Sequence, residues 1–119
     1  MSEAQSAAGD EITSSDLTAF QFNILVILSR APMYGLAIKR ELEAYYADEV
    51  NHGRLYPNLD DLVQQGLVDK SELDKRTNQY ALSDAGHAAL VGQLDWIFRN
   101  FVTSDARADE LQDRIDSYV

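Results

Sequence analysis

The segment 51–66 of the chain combines a regular apolar stripe with an unusual polar start. Its apolar residues recur at the three- and four-residue spacing of a single helix face, and they are Leu55, Leu59, Leu62 and Val63. Gly66 follows the last of these residues, at the position where a left-handed C-terminal cap favours glycine. The pattern predicts an amphipathic helix that buries one face in a core and ends at Gly66.

The first turn of this predicted helix contains no acidic residue, although Asp and Glu normally favour the positive end of the helix dipole. It holds Asn51, His52, Gly53 and Arg54, and Asn58 follows one turn later. Asn, His and Arg side chains hydrogen-bond base edges and phosphate oxygens. In a chain with 20 acidic and 10 basic residues, a helix start without acids indicates that a negatively charged partner binds there. The alternative is a solvated helix start that Asn51 merely caps.

Length and composition limit the chain to one globular domain with room for one appended element, because 119 residues bury only a modest core. No run approaches about 18 consecutive apolar residues, so the sequence predicts no transmembrane span. The first residues lack the basic-then-apolar order of a signal peptide, which favours a cytoplasmic protein. The chain has no cysteine, which excludes disulfides, thiolate zinc sites and thiol redox sensing.

The net charge of −10 is unusual for a candidate nucleic-acid binder, since such domains are usually basic. Its distribution is uneven: residues 30–76 carry seven bases and nine acids, whereas the rest of the chain carries three bases and eleven acids. Most of the excess negative charge therefore lies outside the candidate binding segment. Thirteen of the acids are Asp, and only three of the bases are Lys. Such a composition is typical of salt-accumulating halophiles, where screening weakens self-repulsion; an ordinary acidic protein is the alternative.

Two helices are predicted before segment 51–66. Residues 1–15 are small, polar and acidic, which predicts a disordered tail. The first helix should begin near Ser15 or Asp16, end before Pro32, and be buried on more than one face, since it is apolar nearly all round. A turn at 33–35 precedes a second, shorter helix, whose inner residues would be Leu36, Ile38, Leu42 and Tyr45 or Tyr46. With segment 51–66 as the third helix, the order is that of a helix-turn-helix domain.

Two short segments after Gly66, 67–73 and 78–82, predict a two-stranded β-hairpin, which we call the wing. Its inner residues would be Leu67, Val68, Tyr80 and Leu82. Lys75 and Arg76 lie at its tip, and Lys70 lies on its first strand. Affinity for a duplex comes largely from neutralised phosphates, so these cations favour a wing that reaches the DNA backbone. A tip that only faces solvent is the alternative, because acidic residues lie close by.

The last predicted helix begins at Ser83 or Asp84 and is the longest. From Leu90 onward its apolar residues alternate spacings of four and three, which is typical of a narrow coiled-coil seam. A helix of about 35 residues would be about 50 Å long, too long for so small a domain to cover. The pattern predicts a twofold homodimer; a helix that folds back near 103–106 is the alternative. The expected dimer-interface residues are Leu90, Leu94, Trp96, Ile97, Phe101, Leu111, Ile115 and Tyr118.

Several short runs of this sequence resemble the PadR family of winged-helix transcriptional regulators. The family has a similar Gly-x-Leu-Tyr-Pro run on its recognition helix, which corresponds here to Gly53, Leu55, Tyr56 and Pro57. Its Tyr-x-Leu-Thr-x-x-Gly segment before the dimer helix corresponds to Tyr80, Leu82, Ser83 and Gly86. The likeness spans about residues 17–94, and the acidic composition is most similar to that of the haloarchaeal members.

The residues and the resemblance together predict a mainly α-helical fold with a small β-hairpin. It would comprise an acidic tail (1–15), a winged helix-turn-helix domain (16–82) and a long C-terminal dimerisation helix (83–119). The resemblance implies that Tyr56 and Pro57 shape the recognition helix, which must start near Arg54 or before to hold a proline there. Asp60 and Asp61 stand where relatives often carry Arg, which argues against phosphate contact there. Some relatives bind planar aromatic ligands between tryptophans at the dimer centre, so Trp96 is either a ligand contact or interface packing.

The sequence thus predicts a homodimeric, sequence-specific DNA-binding transcriptional regulator adapted to high salt, with each recognition helix in a major groove. Its predicted partners are double-stranded DNA, a second copy of the chain, and inorganic cations that bridge acidic side chains to phosphates. No membrane, cofactor or metal site is expected, and no catalytic motif indicates an enzyme. The alternative function is a winged-helix protein-interaction module without DNA binding. The expected DNA-binding residues are Asn51, His52, Arg54, Tyr56, Asn58, Lys70, Lys75, Arg76, Gln21, Arg30 and Lys39.

Overall fold

The computed structural model describes residues 17–74 and 77–119. The elements in these ranges are α1 Ala19–Leu28, β1 Met33–Tyr34, α2 Gly35–Tyr46, α3 His52–Gln64, β2 Val68–Asp74, β3 Thr77–Leu82, α4 Asp84–Phe101 and α5 Asp105–Tyr118. The predicted class, mainly helical with a small antiparallel β element, is confirmed. The tail predicted at 1–15 and the wing-tip residues Lys75 and Arg76 lie outside the described residues.

The prediction that Ser15 or Asp16 starts α1 is wrong, because Thr18 is the N-cap. The Thr18 hydroxyl accepts from the Gln21 backbone N–H at 3.1 Å, and the Gln21 side chain accepts from the Thr18 backbone N–H at 3.4 Å. This reciprocal capping box satisfies two N–H groups at the helix start. As predicted, α1 is buried on more than one side, through Phe20, Ile24, Leu25, Ile27 and Leu28.

The core lies between α1, α2, α3 and one face of the sheet. Its completely buried side chains on α2 and α3 are Ile38, Leu42, Leu55, Leu59 and Leu62. The predicted inner residue Leu36 is instead 47% exposed, because α2 presents only a narrow stripe to the core, and of the two alternatives Tyr45 and Tyr46 the first is 71% exposed. Tyr46 occupies the inner position, and its ring stacks on that of Phe20.

The wing belongs to a three-stranded antiparallel sheet in the order β1-β3-β2. Strands β2 and β3 form the predicted hairpin, and its inner residues Leu67, Val68 and Tyr80 are buried. Met33 and Tyr34, predicted as a turn, form β1 and pair with β3 opposite Tyr80 and Gln79. The predicted hairpin is therefore present, and a third short strand that was not predicted extends its sheet. A two-residue pairing with a strand far along the chain leaves no periodic signal in the sequence.

Gly66 ends α3 as predicted, with a φ of +80°. This left-handed conformation lets the Leu67 N–H donate to the Leu62 carbonyl oxygen at 3.0 Å. The Ser83 hydroxyl then donates to the Gly66 carbonyl oxygen at 2.7 Å and fixes the start of α4 to this turn. Gly86 permits the close approach, since a Cβ there would overlap the Leu67 carbonyl oxygen. The end of α3, the base of the wing and the start of α4 are thereby held together.

The C-terminal region consists of two helices, so the prediction of one continuous long helix is wrong, and the break falls beside the segment 103–106 where the alternative placed an interruption. Helix α4 ends at Phe101, and Ser104 caps α5 by accepting from the Arg107 N–H at 3.2 Å. The Arg107 guanidinium donates to the Phe101 carbonyl oxygen at 3.1 Å, which satisfies an acceptor at the end of α4. Leu90, predicted at the dimer seam, is buried in the core of the protomer and is removed from that set.

None of the helices within residues 17–74 and 77–119 combines the length and the apolar character needed to cross a membrane.

Candidate nucleic-acid interface

The start of α3 is an exposed group of hydrogen-bonding side chains. Asn51 is the N-cap, and its side-chain oxygen accepts from the Arg54 N–H at 2.8 Å. Asn51, His52 and Arg54 are all exposed, and the first turn of α3 carries no acidic residue. Three of the residues predicted to bind DNA therefore share the end of α3 where the helix dipole is positive.

Arg54 has an aromatic surface beneath its guanidinium group. Its guanidinium carbon lies 4.0 Å from the centre of the Phe20 ring and 5.8 Å from the centre of the Tyr46 ring. Within the part of the chain that the structure describes, Arg54 has no carboxylate partner, whereas Arg30, Lys39 and Arg99 are each ion-paired. The N–H groups of a stacked, unpaired guanidinium remain available to a ligand.

Tyr56 and Pro57 shape the first half of α3. The helix starts at His52, so Pro57 lies in its second turn, consistent with the limit that a proline sets on the helix start. The half-buried Tyr56 ring lies 5.4 Å from the His52 ring, centre to centre. Its hydroxyl packs over Gly35, where a Cβ would lie only 2.6 Å from the hydroxyl oxygen. Tyr56 therefore holds the start of α2 against α3, and its contact with DNA stays a prediction.

A cleft of about 490 Å³ lies between the start of α3 and the wing. Its walls come from the start of α2, from α3 and from β3, and they include Tyr34, His52, Tyr56, Asn78 and Tyr80. Burial is the main cause that raises the pKa of the Tyr80 hydroxyl. Electrostatic interactions, first with Asp60 and then with Tyr56, raise this pKa further. Tyr80 therefore remains protonated at neutral pH and presents no charge to the cleft.

Gln21 and Asn58 connect α1 to α3. Gln21 is buried, and its side-chain amide donates to the Asn58 side-chain oxygen at 3.1 Å and to the Asp61 carboxylate at 2.8 Å. The Asn58 amide donates in turn to the Arg54 carbonyl oxygen at 2.7 Å. Because its amide is buried and already paired, Gln21 supports α3 from within the domain, and its predicted contact with DNA stays a prediction. Asn58 is engaged in the same network and supports the interface from behind.

Arg30 and Lys39 are held in ion pairs within the domain. Arg30 lies just after the C-terminal end of α1, whereas Phe20 lies at the N-terminal end. The Arg30 guanidinium pairs with the Glu41 carboxylate at 2.8 Å. Lys39 pairs with Glu43 at 3.0 Å, and the same carboxylate oxygen accepts from the Val50 N–H at 3.0 Å. The Val50 hydrogen bond, followed by the hydrogen bond with Lys39, lowers the pKa of Glu43. Both cations are paired within the domain in this structure, and their predicted contacts with DNA stay predictions.

Lys70 is exposed on β2, opposite Tyr80 on β3. Because directly opposed residues of antiparallel strands project from the same face, Lys70 lies on the face of the sheet that carries Tyr80. This is the side of the wing that borders the cleft. The predicted contacts of Lys75 and Arg76 concern residues outside the described ranges and stay predictions.

Two contributions to this interface were not predicted from the sequence. Phe20 belongs to the first helix, which was predicted only to be buried, yet its ring supports Arg54. Asp61 was treated as an obstacle to phosphate binding, but its carboxylate accepts from Gln21 and from Gln65, both at 2.8 Å. The Thr18-x-x-Gln21 capping box was a readable signal for the position of Gln21. No local pattern indicates that Phe20 and Arg54 meet.

Comparison with known proteins identifies close relatives. Residues 24–91 match the model of the transcriptional regulator PadR-like family. A structure of RosR from H. salinarum, grown from NaBr, is 58% identical with a TM-score of 0.84, and the match covers 87% of this chain and 94% of that chain. A RosR complex designated hsRosR-S4 is 56% identical with a TM-score of 0.85, covering 93% and 94% of the two chains.

The transcriptional activator GvpE of Haloferax mediterranei is 32% identical over 62 residues. The match covers 52% of this chain and 32% of GvpE, so it spans about a third of the length of that relative.

The three-helix order, the sheet and the exposed start of α3 define a winged helix-turn-helix protein. More narrowly, the chain belongs to the PadR-like family of transcriptional regulators, because the family match covers more than half of its length. The predicted membership of that family, and the predicted likeness to its haloarchaeal members, are confirmed.

Replacing Gln21 by Ala should destabilise the protein by about 1–3 kcal/mol, since Asn58 and Asp61 lose a buried donor. Chemical denaturation at high KCl concentration measures the free energy of unfolding. Gln64→Ala, on an exposed position of α3, is the matched control and should change this free energy by less than about 0.5 kcal/mol. Equal effects of the two substitutions would contradict the role of Gln21 in joining α1 to α3.

Proposed function

We propose that the protein is a sequence-specific DNA-binding transcriptional regulator that acts as a homodimer at high salt. The observation that carries the proposal is the start of α3, where the unpaired Arg54 lies beside the exposed Asn51 and His52. Arg binds guanine edges and phosphates through paired N–H groups, and Asn and His hydrogen-bond bases and phosphates. Membership of a family of transcriptional regulators supports the same function.

In the proposed complex, α3 enters the major groove and the wing approaches the flanking backbone. The groove-facing residues are Asn51, His52 and Arg54. Lys70, together with Lys75 and Arg76 at the wing tip, neutralises phosphates. The cleft between α3 and the wing gives a sugar–phosphate strand room to pass, and Tyr34 and Tyr56 are among the residues that line it. Backbone contacts of this kind fix the register of α3 on the duplex.

The proposed dimer forms through the C-terminal region, 83–119. Helix α4 exposes Leu94, Ile97 and Phe101 by 37–38%, and these residues lie along one stripe of the helix. Helix α5 adds Leu111, Ile115 and Tyr118. No residue of α5 is buried within the described protomer. Monomeric proteins rarely leave so many large apolar side chains in water on neighbouring helices, so a second copy is their natural cover. Trp96, predicted at the interface, is 62% exposed but lies on the side of α4 away from this stripe, one turn before Arg99, so we keep it outside the proposed seam.

The protein and DNA are both negatively charged, so their electrostatic repulsion must be overcome for binding. With a net charge of −10, the protein is repelled by DNA at low ionic strength. At molar salt the screening length falls to about 3 Å, so this repulsion becomes short-ranged. Cations held between carboxylates and phosphates remove the remaining repulsion, and these cations are the third proposed partner besides DNA and the second protomer.

Arg54→Ala should weaken binding to a duplex by about 1–3 kcal/mol, because a guanidinium that contacts a base edge or a phosphate is lost. Fluorescence anisotropy measures this change, with a duplex taken from the genomic fragments that the wild-type protein retards in a gel. Arg99→Ala is the matched control, since Arg99 is exposed on α4 and pairs with Asp95 at 2.9 Å.

Unchanged affinity of the Arg54→Ala variant would remove Arg54 from the interface. If the wild-type protein retards no genomic fragment at high KCl, DNA binding is contradicted. That result would favour the protein-interaction module as the function.

The affinity for a duplex should stay level or rise as KCl is added. An ordinary basic repressor with 6–10 phosphate contacts loses about 10³–10⁵ in affinity between 50 and 200 mM salt. Replacing KCl by tetramethylammonium chloride at equal ionic strength is the control, since the bulky cation cannot bridge a carboxylate and a phosphate closely. A steep fall in KCl, or equal affinity in both salts, would contradict bridging by cations.

Ile97→Glu should convert the dimer into a monomer, because it places a charge in the proposed apolar seam of α4. Sedimentation equilibrium should give twice the 13.3 kDa chain mass for the wild-type protein and the single mass for the variant. Arg99→Glu introduces the same side chain on the opposite face of α4 and should leave the dimer intact. A wild-type monomer, or a dimeric Ile97→Glu variant, would contradict this interface.

A further inference from the structure

We propose that Phe20 is a positioning residue for DNA binding: its ring holds the Arg54 guanidinium in place for a phosphate or a base edge. The inference rests on the proposed function. It gives Phe20 a role in DNA binding in addition to its packing in the core. The guanidinium carbon lies 4.0 Å from the Phe20 ring centre, within the range of a cation–π contact.

The aromatic platform is itself fixed on two sides. Phe20 lies in the first turn of α1, which the Thr18–Gln21 capping box orders, and it is only 5% exposed. Beside it lies the Tyr46 ring, at 6.1 Å between centres and with an angle of 18° between planes. The Tyr46 hydroxyl accepts from the Asn23 side-chain amide at 3.0 Å, which orients that ring. The platform therefore has little freedom to move when a ligand arrives.

The backbone of Arg54 is held as firmly as its guanidinium. Its N–H donates to the Asn51 side chain at 2.8 Å, and its carbonyl oxygen accepts from the Asn58 side chain at 2.7 Å. Asn58 is in turn bound to Gln21, one residue after Phe20. The first turn of α1 thus acts on Arg54 at two places: Phe20 contacts the guanidinium, and Gln21 acts through Asn58 on the carbonyl oxygen. What remains free is the edge of the guanidinium, which carries the N–H donors that recognise phosphate and guanine.

This arrangement has a particular advantage in concentrated salt. Long-range attraction between an arginine and DNA is screened beyond about 3 Å at 1 M ionic strength. An ordered side chain loses less conformational entropy on binding than a free one, and that saving does not depend on ionic strength. A protein that cannot rely on net positive charge gains more from one ordered arginine than from several mobile ones.

Phe20 could have the opposite effect and hold Arg54 away from DNA, and an experiment must distinguish the two roles. If the stack stored Arg54 away from DNA, binding would have to break the contact with Phe20. Weakening the platform would then raise the affinity for a duplex instead of lowering it.

The test is a double-mutant cycle on the full chain, with the duplex retarded by the wild-type protein as the probe. Phe20→Leu keeps an apolar side chain but removes the aromatic face, and it should lower affinity by about 3- to 10-fold. In the Arg54→Ala background, Phe20→Leu should change affinity by less than about 2-fold, because the two residues act together. Phe20→Tyr keeps an aromatic face and should restore most of the affinity.

Phe22→Leu is the matched control for lost packing, since Phe22 lies on the same helix and packs against the core without an aromatic contact to Arg54. It should leave affinity unchanged when each variant is shown to be folded by thermal denaturation. A second measurement needs no DNA: the Arg54 Hε resonance should lose a ring-current shift in Phe20→Leu and keep it in Phe22→Leu.

Additive losses in the cycle, a gain of affinity in Phe20→Leu, or an unshifted Arg54 resonance in the wild-type protein would each overturn the role of Phe20. A wild-type protein that binds no duplex would overturn the proposed function itself, and the positioning role with it. These outcomes differ in whether the wild-type protein binds, so the two failures are distinguishable.

Discussion

Burial of the leucine stripe on α3 determines which face of this helix the molecule presents. Leu55, Leu59 and Leu62 are completely inaccessible to solvent, and burying three leucines stabilises the fold by roughly 5–9 kcal/mol relative to their exposure. A helix rotated about its axis would bring polar residues into the core and lose most of this. With the stripe facing inward, Asn51, His52 and Arg54 have only one direction left, which is outward at the positive end of the helix.

The first turn of α1 adds contacts that orient α3 and its Arg54 side chain, beyond the burial of the leucines. Phe20 supports the Arg54 guanidinium, and Gln21 binds both Asn58 and Asp61 on α3. The contact with Asp61 has a further consequence, because it draws a carboxylate of the recognition helix toward α1. One turn of α1 therefore contacts both the Arg54 side chain and the middle of α3.

Sequence periodicity predicted the elements whose signals are local. The stripe and the Gly66 cap gave α3 and its end, and the alternation near Val68 and Tyr80 gave the wing. Two errors were avoidable from local signals: Thr18 with Gln21 forms a capping box, and Ser104 before Asp105 is a second helix start. The features that were not predicted are contacts between distant residues. Neither the β1–β3 pairing nor the burial of Gln21 against α3 has a periodic or compositional signature, so they required coordinates.

Because the chain contains no cysteine, a single one can be introduced and labelled without background. The most direct measurement uses His52→Cys carrying an iron chelate that cleaves nearby DNA, with Gln112→Cys on α5 as the control position. If the start of α3 lies in the major groove, the label at 52 should cleave the duplex in two clusters about one helical turn apart, and the label at 112 should not. Cleavage from position 112 without cleavage from position 52 would contradict binding through the start of α3.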